Sequence, residues 1–312
     1  MAHDREFRFG VTAGVAPAGV SWADFARQAE DLGYSTLFLP DHFGDQLAPM
    51  PAMMAAADAT TELRVGALVF DNDYKHPVVL AKELATVDVL SSGRLEIGLG
   101  AGWMNSDYEG SGIPKDRAGI RIDRMTEGLT IIKGLLGDGP VDFAGDHYTI
   151  SGLEGTPKPV QQPHPPILIG GGGRRVLTVA AQQADIVGVN PTLRTGEIDA
   201  SAAADGTAEA TDRKIEWIRT AAGDRFDELE LNTMCLVAAI TDDRQKLAEA
   251  VAGGFGVDPT DALDIPHALF GTVTEVCDML EERRQRWGLS YYVLQGDAME
   301  AMAPVVTRLR GS

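Results

Sequence analysis

A closed (β/α)8 TIM barrel is the fold class this sequence predicts, and three observations predict it. Short apolar, β-branched runs recur eight times along 312 residues, each followed by a segment with helical spacing of its apolar side chains. Several of these runs lack polar alternation, as expected of parallel strands buried on both faces. No Pro/Gly/Ser-rich linker divides the chain, so residues 1–312 read as one domain with insertions near 138–164 and 255–270. An open doubly wound sheet is the alternative, but it has no need of eight similar units.

FRFGVTAG (7–14) is the first strand. The helix over 21–32 sets Trp22, Phe25, Ala26, Ala29 and Leu32 on one stripe, with Ser21 and Asp24 suited to a capping box and Gly33 to a stop. STLFLP (35–40) is the second strand, followed by an Ala-rich helix near 49–60. LRVGALVF (63–70) is the third. Its helix opens on Pro77, where the missing N–H is harmless, and is expected to bury Val79, Leu80, Leu84, Val87 and Leu90. RLEIGLG (94–100) is the fourth strand, with a helix over about 117–136, and PVDFAGDHYTI (140–150) reads as a hairpin turning at Gly145-Asp146. PILIG (166–170), ADIVGVN (184–190), LNTMCLVAA (231–239) and SYYVLQ (290–295) complete the eight. Helices are expected at about 173–183, 205–222, 243–253, 272–287 and 298–309, with Thr272 and Glu275 as a second capping box. Residues 200–212 read as the most loop-like stretch.

Charge narrows the partners. Asp+Glu 46 against Lys+Arg 27 gives a net charge of −19, whose mean field repels nucleic acid and anionic membranes. Any phosphate must therefore be held by a local feature. Cys235 and Cys277 fit no metal spacing and suit a reducing compartment. The segment MAHDREFRFG lacks the apolar core of a secretion signal, and no apolar run is long enough to span a bilayer, so a cytoplasmic location is expected.

In a barrel of this class, ligands are bound by the loops that follow the strands. After the second strand stands His42, able to donate a hydrogen bond or exchange a proton near neutrality, or else satisfied within its turn by Asp41. After the third, Asn72 is the better ligand candidate, while Tyr74, Lys75 and His76 read as a solvated loop. After the fourth, Gly98-Leu99-Gly100-Ala101-Gly102 has GxGxG spacing and not the dinucleotide GxGxxG. Its glycines, Gly102 included, suit a tight turn or close approach of a flat ligand that Trp103 would cover. After the fifth, Gly170, Gly171, Gly172 and Gly173 lead into a helix that begins with Arg174 and Arg175. Four glycines free the backbone to aim N–H groups at one anion, and the helix start adds positive potential. No metal site, G-x-S-x-G elbow or H-E-x-x-H motif is visible, and His3, His147, His164 and His267 read as surface or turn residues.

Taken in order, these blocks resemble the bacterial luciferase-like superfamily, in particular its F420-dependent oxidoreductases. LGYSTLFLPDHF (32–43), KHPVVLAKELATVDVLSSGRLEIGLGAGW (75–103), PPILIGGGGRRVLTVAAQQADIVGVN (165–190) and GTVTEVCDMLEERRQRWGLSYYVL (271–294) carry the resemblance across nearly the whole chain. It implies a deazaflavin, F420, or alternatively FMN, with its ring in the barrel mouth and its phosphate on Gly171, Gly172 and Gly173. It implies a cofactor-side, catalytic role for His42, and a non-prolyl cis peptide behind the ring near Ala67-Leu68. Sugar-phosphate dehydrogenases of the superfamily carry a Glu where this chain has Trp103, and a Trp where it has Gln46. These departures point to a flat, unsaturated or otherwise apolar small-molecule substrate. The resemblance further implies a homodimer and, for the FMN alternative, a separate flavin reductase as partner. A non-catalytic member that binds a flavin or serves as an interaction subunit is the third reading, against which the His and the glycine loop both stand.

Overall fold

The structure is a computed structural model that describes residues 5–255 and 258–312. Eight parallel strands close into a barrel: β1 (Arg8–Thr12), β2 (Thr36–Leu39), β3 (Arg64–Ala67), β4 (Leu95–Gly100), β5 (Ile167–Gly171), β6 (Ile186–Val189), β7 (Glu230–Met234) and β8 (Leu289–Gln295). Each pairs with its sequence neighbour, and β8 closes on β1 through Phe9↔Tyr292 and Val11↔Leu294. The fold class is as the sequence predicts.

The third strand is the irregular one. Its pairing with β4 is lost after Gly66↔Glu96 and resumes at Phe70↔Leu99 with the register advanced by one residue. The break contains a non-prolyl cis peptide at Leu68-Val69, one bond beyond the expected Ala67-Leu68. The glycines of β4 answer this break. A Cβ on Gly98 would lie 2.0 Å from the Ala67 carbonyl oxygen, and one on Gly100 2.5 Å from Val69 Cγ2. These two glycines admit the protein's own third strand, not a ligand.

Among the helices, α1 (Trp22–Asp31) and α2 (Pro49–Ala59) start near their expected positions. Ser21 accepts from Asp24 N, but Asp24 turns its carboxylate to the Ser21 hydroxyl and not to the backbone, so this is half a capping box. α3 (Pro77–Leu90) buries Leu80, Leu84 and Val87; Val79 and Leu90, expected inside, are 50% and 61% exposed. They lie on the flank turned from the sheet. Next come α4 (Asn105–Ser111), which the sequence did not suggest, α5 (Ala118–Leu136) and α6 (Arg174–Gln183). The stretch 200–212 is largely helical, as α7 (Ala200–Ala204) and the start of α8 (Ala208–Ala222); Asp199, just before it, and Thr207, within it, cap these helices with their side chains. α9 (Arg244–Phe255), α10 (Pro259–Asp264), α11 (Val273–Trp287) and α12 (Met299–Leu309) follow, and the Thr272/Glu275 capping box is complete at the start of α11. Among the described residues, no helix is long and apolar enough to cross a membrane.

The segment 138–164 holds the expected hairpin, Pro140–Ala144 paired antiparallel with Thr149–Glu154. The run 231–239 divides: β7 ends at Met234, and Val237–Ile240 leaves the barrel to pair in parallel with Ala268–Gly271. Part of the 255–270 segment lies outside the described residues.

The barrel interior is filled by Phe38, Leu168, Ile186, Tyr291 and Val293, with Leu68 and Val69 packed against them. Its floor is ionic. Glu96, at the start of β4 and 0% exposed, accepts from Thr36 Oγ1 (3.1 Å), Arg64 Nε (2.8 Å), Tyr291 Oη (3.3 Å) and the Arg8 guanidinium. Arg8 also donates to Glu230, and its guanidinium lies 3.7 Å above the Tyr291 ring. Burial pushes the Glu96 carboxyl up, but Arg8 and Arg64 outweigh it and hold the group below the usual carboxylate range. Beneath this floor the ends of the fold meet, with Phe7 N donating to the Ser312 carbonyl and Gly311 N to the Phe7 carbonyl.

Candidate active site

At the opposite rim, the turn after β2 presents His42 with its side chain 24% exposed. Its Nδ1 is 2.6 Å from Asp107 Oδ2 in α4. A carboxylate is acceptor only, so Nδ1 carries the proton and Nε2 is left without a partner among the described residues. The Trp103 ring meets His42 edge-on, with centroids 5.6 Å apart. Sequence reasoning offered Asp41 as the partner of His42. Instead Asp41 accepts from Asp71 N at 3.2 Å, and Asp107 does the holding.

Asp107 is buried and takes two further donors, Phe43 N at 3.1 Å and Tyr74 Oη at 3.0 Å. Tyr74 is therefore part of the site and not of a solvated loop. Burial and the neighbouring carboxylates raise its phenol, which keeps it a donor. Of the two residues beside it, Lys75 pairs with Glu83 and His76 caps α3, its Nδ1 accepting from Val78 N.

A second carboxylate pair lies beside the first cluster. Tyr108 Oη is 3.1 Å from Asp71 Oδ2 and 3.0 Å from Asp73 Oδ2, and Arg124 pairs with Asp73 at 2.8 Å. Burial, then repulsion from Asp73 and Asp41, pushes the Asp71 carboxyl up to about 6, although Asp73 N and Tyr108 donate to it. Among the described residues, no group of His, Cys, Asp and Glu is placed to hold a metal ion.

The other sequence candidates fall in different places. Ala67 is buried at the end of β3, and Leu68 packs with the barrel interior. Asn72 is buried against Gly128 of α5 and donates to Tyr148 Oη at 3.2 Å, apart from His42. Gly102 has φ +73°, and a Cβ there would lie 1.9 Å from Tyr108 Oη and 2.3 Å from Asp71 Oδ2. The space beside it is taken by the carboxylate cluster. At the β5–α6 junction, Gly172 is hemmed by the backbone of Asn190 to Thr192, and Gly170 lies against Asn190. Gly173 is open and caps α6 with no side-chain acceptor, so the first-turn N–H groups are free for an anion. Arg174 is exposed and forms no ion pair among the described residues, whereas Arg175 pairs with Asp123. His267, expected at the surface or in a turn, lies in a turn but is buried there beside Thr233, and burial lowers its imidazole to about 4.

A model of the luciferase-like monooxygenase family matches residues 8–260. The chain belongs to this family. It is 31% identical over 156 residues to an FMNH2-dependent dimethylsulfone monooxygenase of Pseudomonas putida, covering 48% of this chain and 43% of that protein. It is 28% identical over 210 residues to an F420-dependent glucose-6-phosphate dehydrogenase of Amycolatopsis mediterranei, covering 62% of each. The chain thus spans less than two thirds of the length of these curated relatives. The coenzyme F420-dependent tetrahydromethanopterin reductase of Methanopyrus kandleri superposes with a TM-score of 0.77 at 19% identity, covering 98% of this chain and all of that one. Members of this luciferase-like family are oxidoreductases, with F420-dependent and FMN-dependent relatives on one barrel.

Proposed function

We propose that the chain is an oxidoreductase that uses F420 to move a hydride to or from an apolar or unsaturated small molecule at the barrel mouth. The observation that carries this reading is His42, fixed at Nδ1 by Asp107, unpartnered at Nε2 and walled by Trp103. The mouth suits a flat anionic cofactor on two further counts. Leu68 and Val69, partly buried on top of the apolar barrel interior, give an apolar backing, and the β5–α6 glycines give an uncapped helix start next to the unpaired Arg174.

When bound, the deazaflavin supplies a ring carbon that gives or takes a hydride and reacts poorly with oxygen. His42 holds or delivers the accompanying proton at Nε2, while Asp107 keeps the ring in one tautomer and orientation. Gly171, Gly172, Gly173 and Arg174 hold the phosphate through N–H groups and one full charge, a local feature that offsets the net negative field of the chain. Trp103 shields the reacting face from water. A homodimer acting without nucleic acid or membrane completes the reading.

A second reading, an FMN-dependent monooxygenase served by a separate reductase, is favoured by the likeness to the dimethylsulfone enzyme and uses the same loop. Titrating the protein with F420 and with FMN, followed by fluorescence, separates the two. Micromolar or tighter binding of F420 alone supports the first; preference for FMN moves the chain to the second. A His42→Ala variant that keeps full turnover and cofactor affinity would remove His42 from the mechanism.

A further inference from the structure

Two cations beside the mouth form no ion pair among the described residues. Arg121, in the first turns of α5, is only 7% exposed, and its Nε is sealed from solvent without a partner. Its guanidinium forms no ion pair and no hydrogen bond among the described residues. Its central carbon lies 5.5 Å from the centroid of the Tyr108 ring, and Lys115 Nζ lies 5.5 Å from the same centroid. Lys115 is exposed and held by two neutral acceptors, the Trp103 carbonyl at 2.7 Å and Asn105 Oδ1. Glu109 and Asp71 act on it only from beyond ion-pair range, and the neighbouring Asp73 and Asp116 are taken by Arg124.

A buried guanidinium without a counter-charge opposes folding, and a second cation nearby adds repulsion. The chain has 46 carboxylates for 27 bases, yet among the described residues none forms an ion pair with either of these two. An incoming anion would relieve both penalties. The place matters as well: the backbone that holds Lys115 belongs to Trp103, whose ring touches His42.

We infer that Lys115 and Arg121 form an anion subsite at the edge of the mouth, taking a carboxylate or phosphate group of the molecule that reacts beside His42. This rests on the mouth being the reaction site. The reacting molecule is then an apolar or unsaturated framework with one acidic arm, or the acidic arm belongs to the cofactor.

The test is a calorimetric titration with inorganic phosphate at constant ionic strength, on the parent, Lys115→Met, Arg121→Met and Arg121→Lys proteins. Loss of a charge-assisted contact predicts roughly tenfold or more weaker binding in the two Met variants, with partial retention in Arg121→Lys. Without phosphate, Arg121→Met should melt no lower than the parent, because it deletes an uncompensated charge; if that variant fails to fold, Lys115→Met on the surface carries the test. Unchanged phosphate affinity in both Met variants overturns the subsite. So does loss of binding confined to Arg174→Gln, which would place the phosphate on the β5–α6 glycines. FMN and F420 titrated into Lys115→Met then locate the source. A tenfold loss of cofactor affinity assigns the acidic arm to the cofactor, and unchanged affinity with lost phosphate binding assigns it to the substrate. A parent protein that binds phosphate but neither cofactor upholds the subsite and counts against the proposed function alone.

Discussion

Replacing Glu96 by Gln should damage the fold more than any comparable change at the mouth. The substitution keeps the shape of the side chain but removes the charge that Arg8 and Arg64 face at the barrel floor. Glu230 still serves Arg8, while Arg64 loses its carboxylate and keeps only the Leu95 carbonyl and Gln161. Breaking a pair with a buried partner from one side costs about 3–5 kcal/mol, chiefly because the surviving cation, though only partly buried, is held away from most of the solvent. At about 2 °C per kcal/mol for a domain of this size, the melting temperature should fall by roughly 6–10 °C. The pH dependence gives a second readout. The folded carboxyl sits below its unfolded value, so the folded state binds fewer protons. Its contribution is complete above the ordinary Glu range, near pH 5, and is lost as pH falls through the folded value. Thermal melts of parent and Glu96→Gln proteins should therefore keep a steady gap from pH 7 to about 5 and draw together only below the ordinary Glu range, towards about pH 2. A drop under about 2 °C at pH 7, or a difference that does not change with pH, would show that the floor is not held by this charge.

Asp71 should act in the opposite sense. Its folded carboxyl is raised to about 6, so the stability tied to its protonated form is present at low pH and lost as pH rises through 6. Asp71→Asn should gain on the parent between pH 4 and 7, by roughly 3 kcal/mol at most; a pH-independent difference in urea unfolding would refute this. At the β5–α6 junction, Gly172→Ala places a methyl 2.4 Å from the Pro191 and Thr192 backbone and should cost about 1–3 kcal/mol. Gly173→Ala meets nothing within 4 Å and should melt within about 2 °C of the parent, and equal losses in both would contradict the packing described.

The barrel was legible because its signal is local: apolar runs of strand length, each with a helix behind it. What escaped was long-range. Asp107 lies 65 residues from His42, and nothing in NSDYEG marks it as a histidine partner. The division of 231–239 escaped because Val237–Ile240 is decided by its pairing with Ala268–Gly271, which carries no trace in the run itself. Glu96 did leave a trace, a lone carboxylate inside the apolar RLEIGLG, which fits a buried charge with partners on other strands. The glycines of that run were misleading for the same reason, since the neighbour they admit is the break in β3. The turn at His267 is legible, but its burial is not, because a single histidine has no periodicity to betray it.

The hydrogen bonds that join Phe7 to Gly311 and Ser312 have a practical use. Both stretches lie on the floor side, a strand's length or roughly 15 Å below the rim that carries His42. A label, affinity handle or surface linker attached through either stretch would hold the molecule upright, with its mouth facing the liquid. An immobilised sample would then meet cofactors and small acids in flow as freely as a dissolved one, and orientation would not confound the affinities it reports.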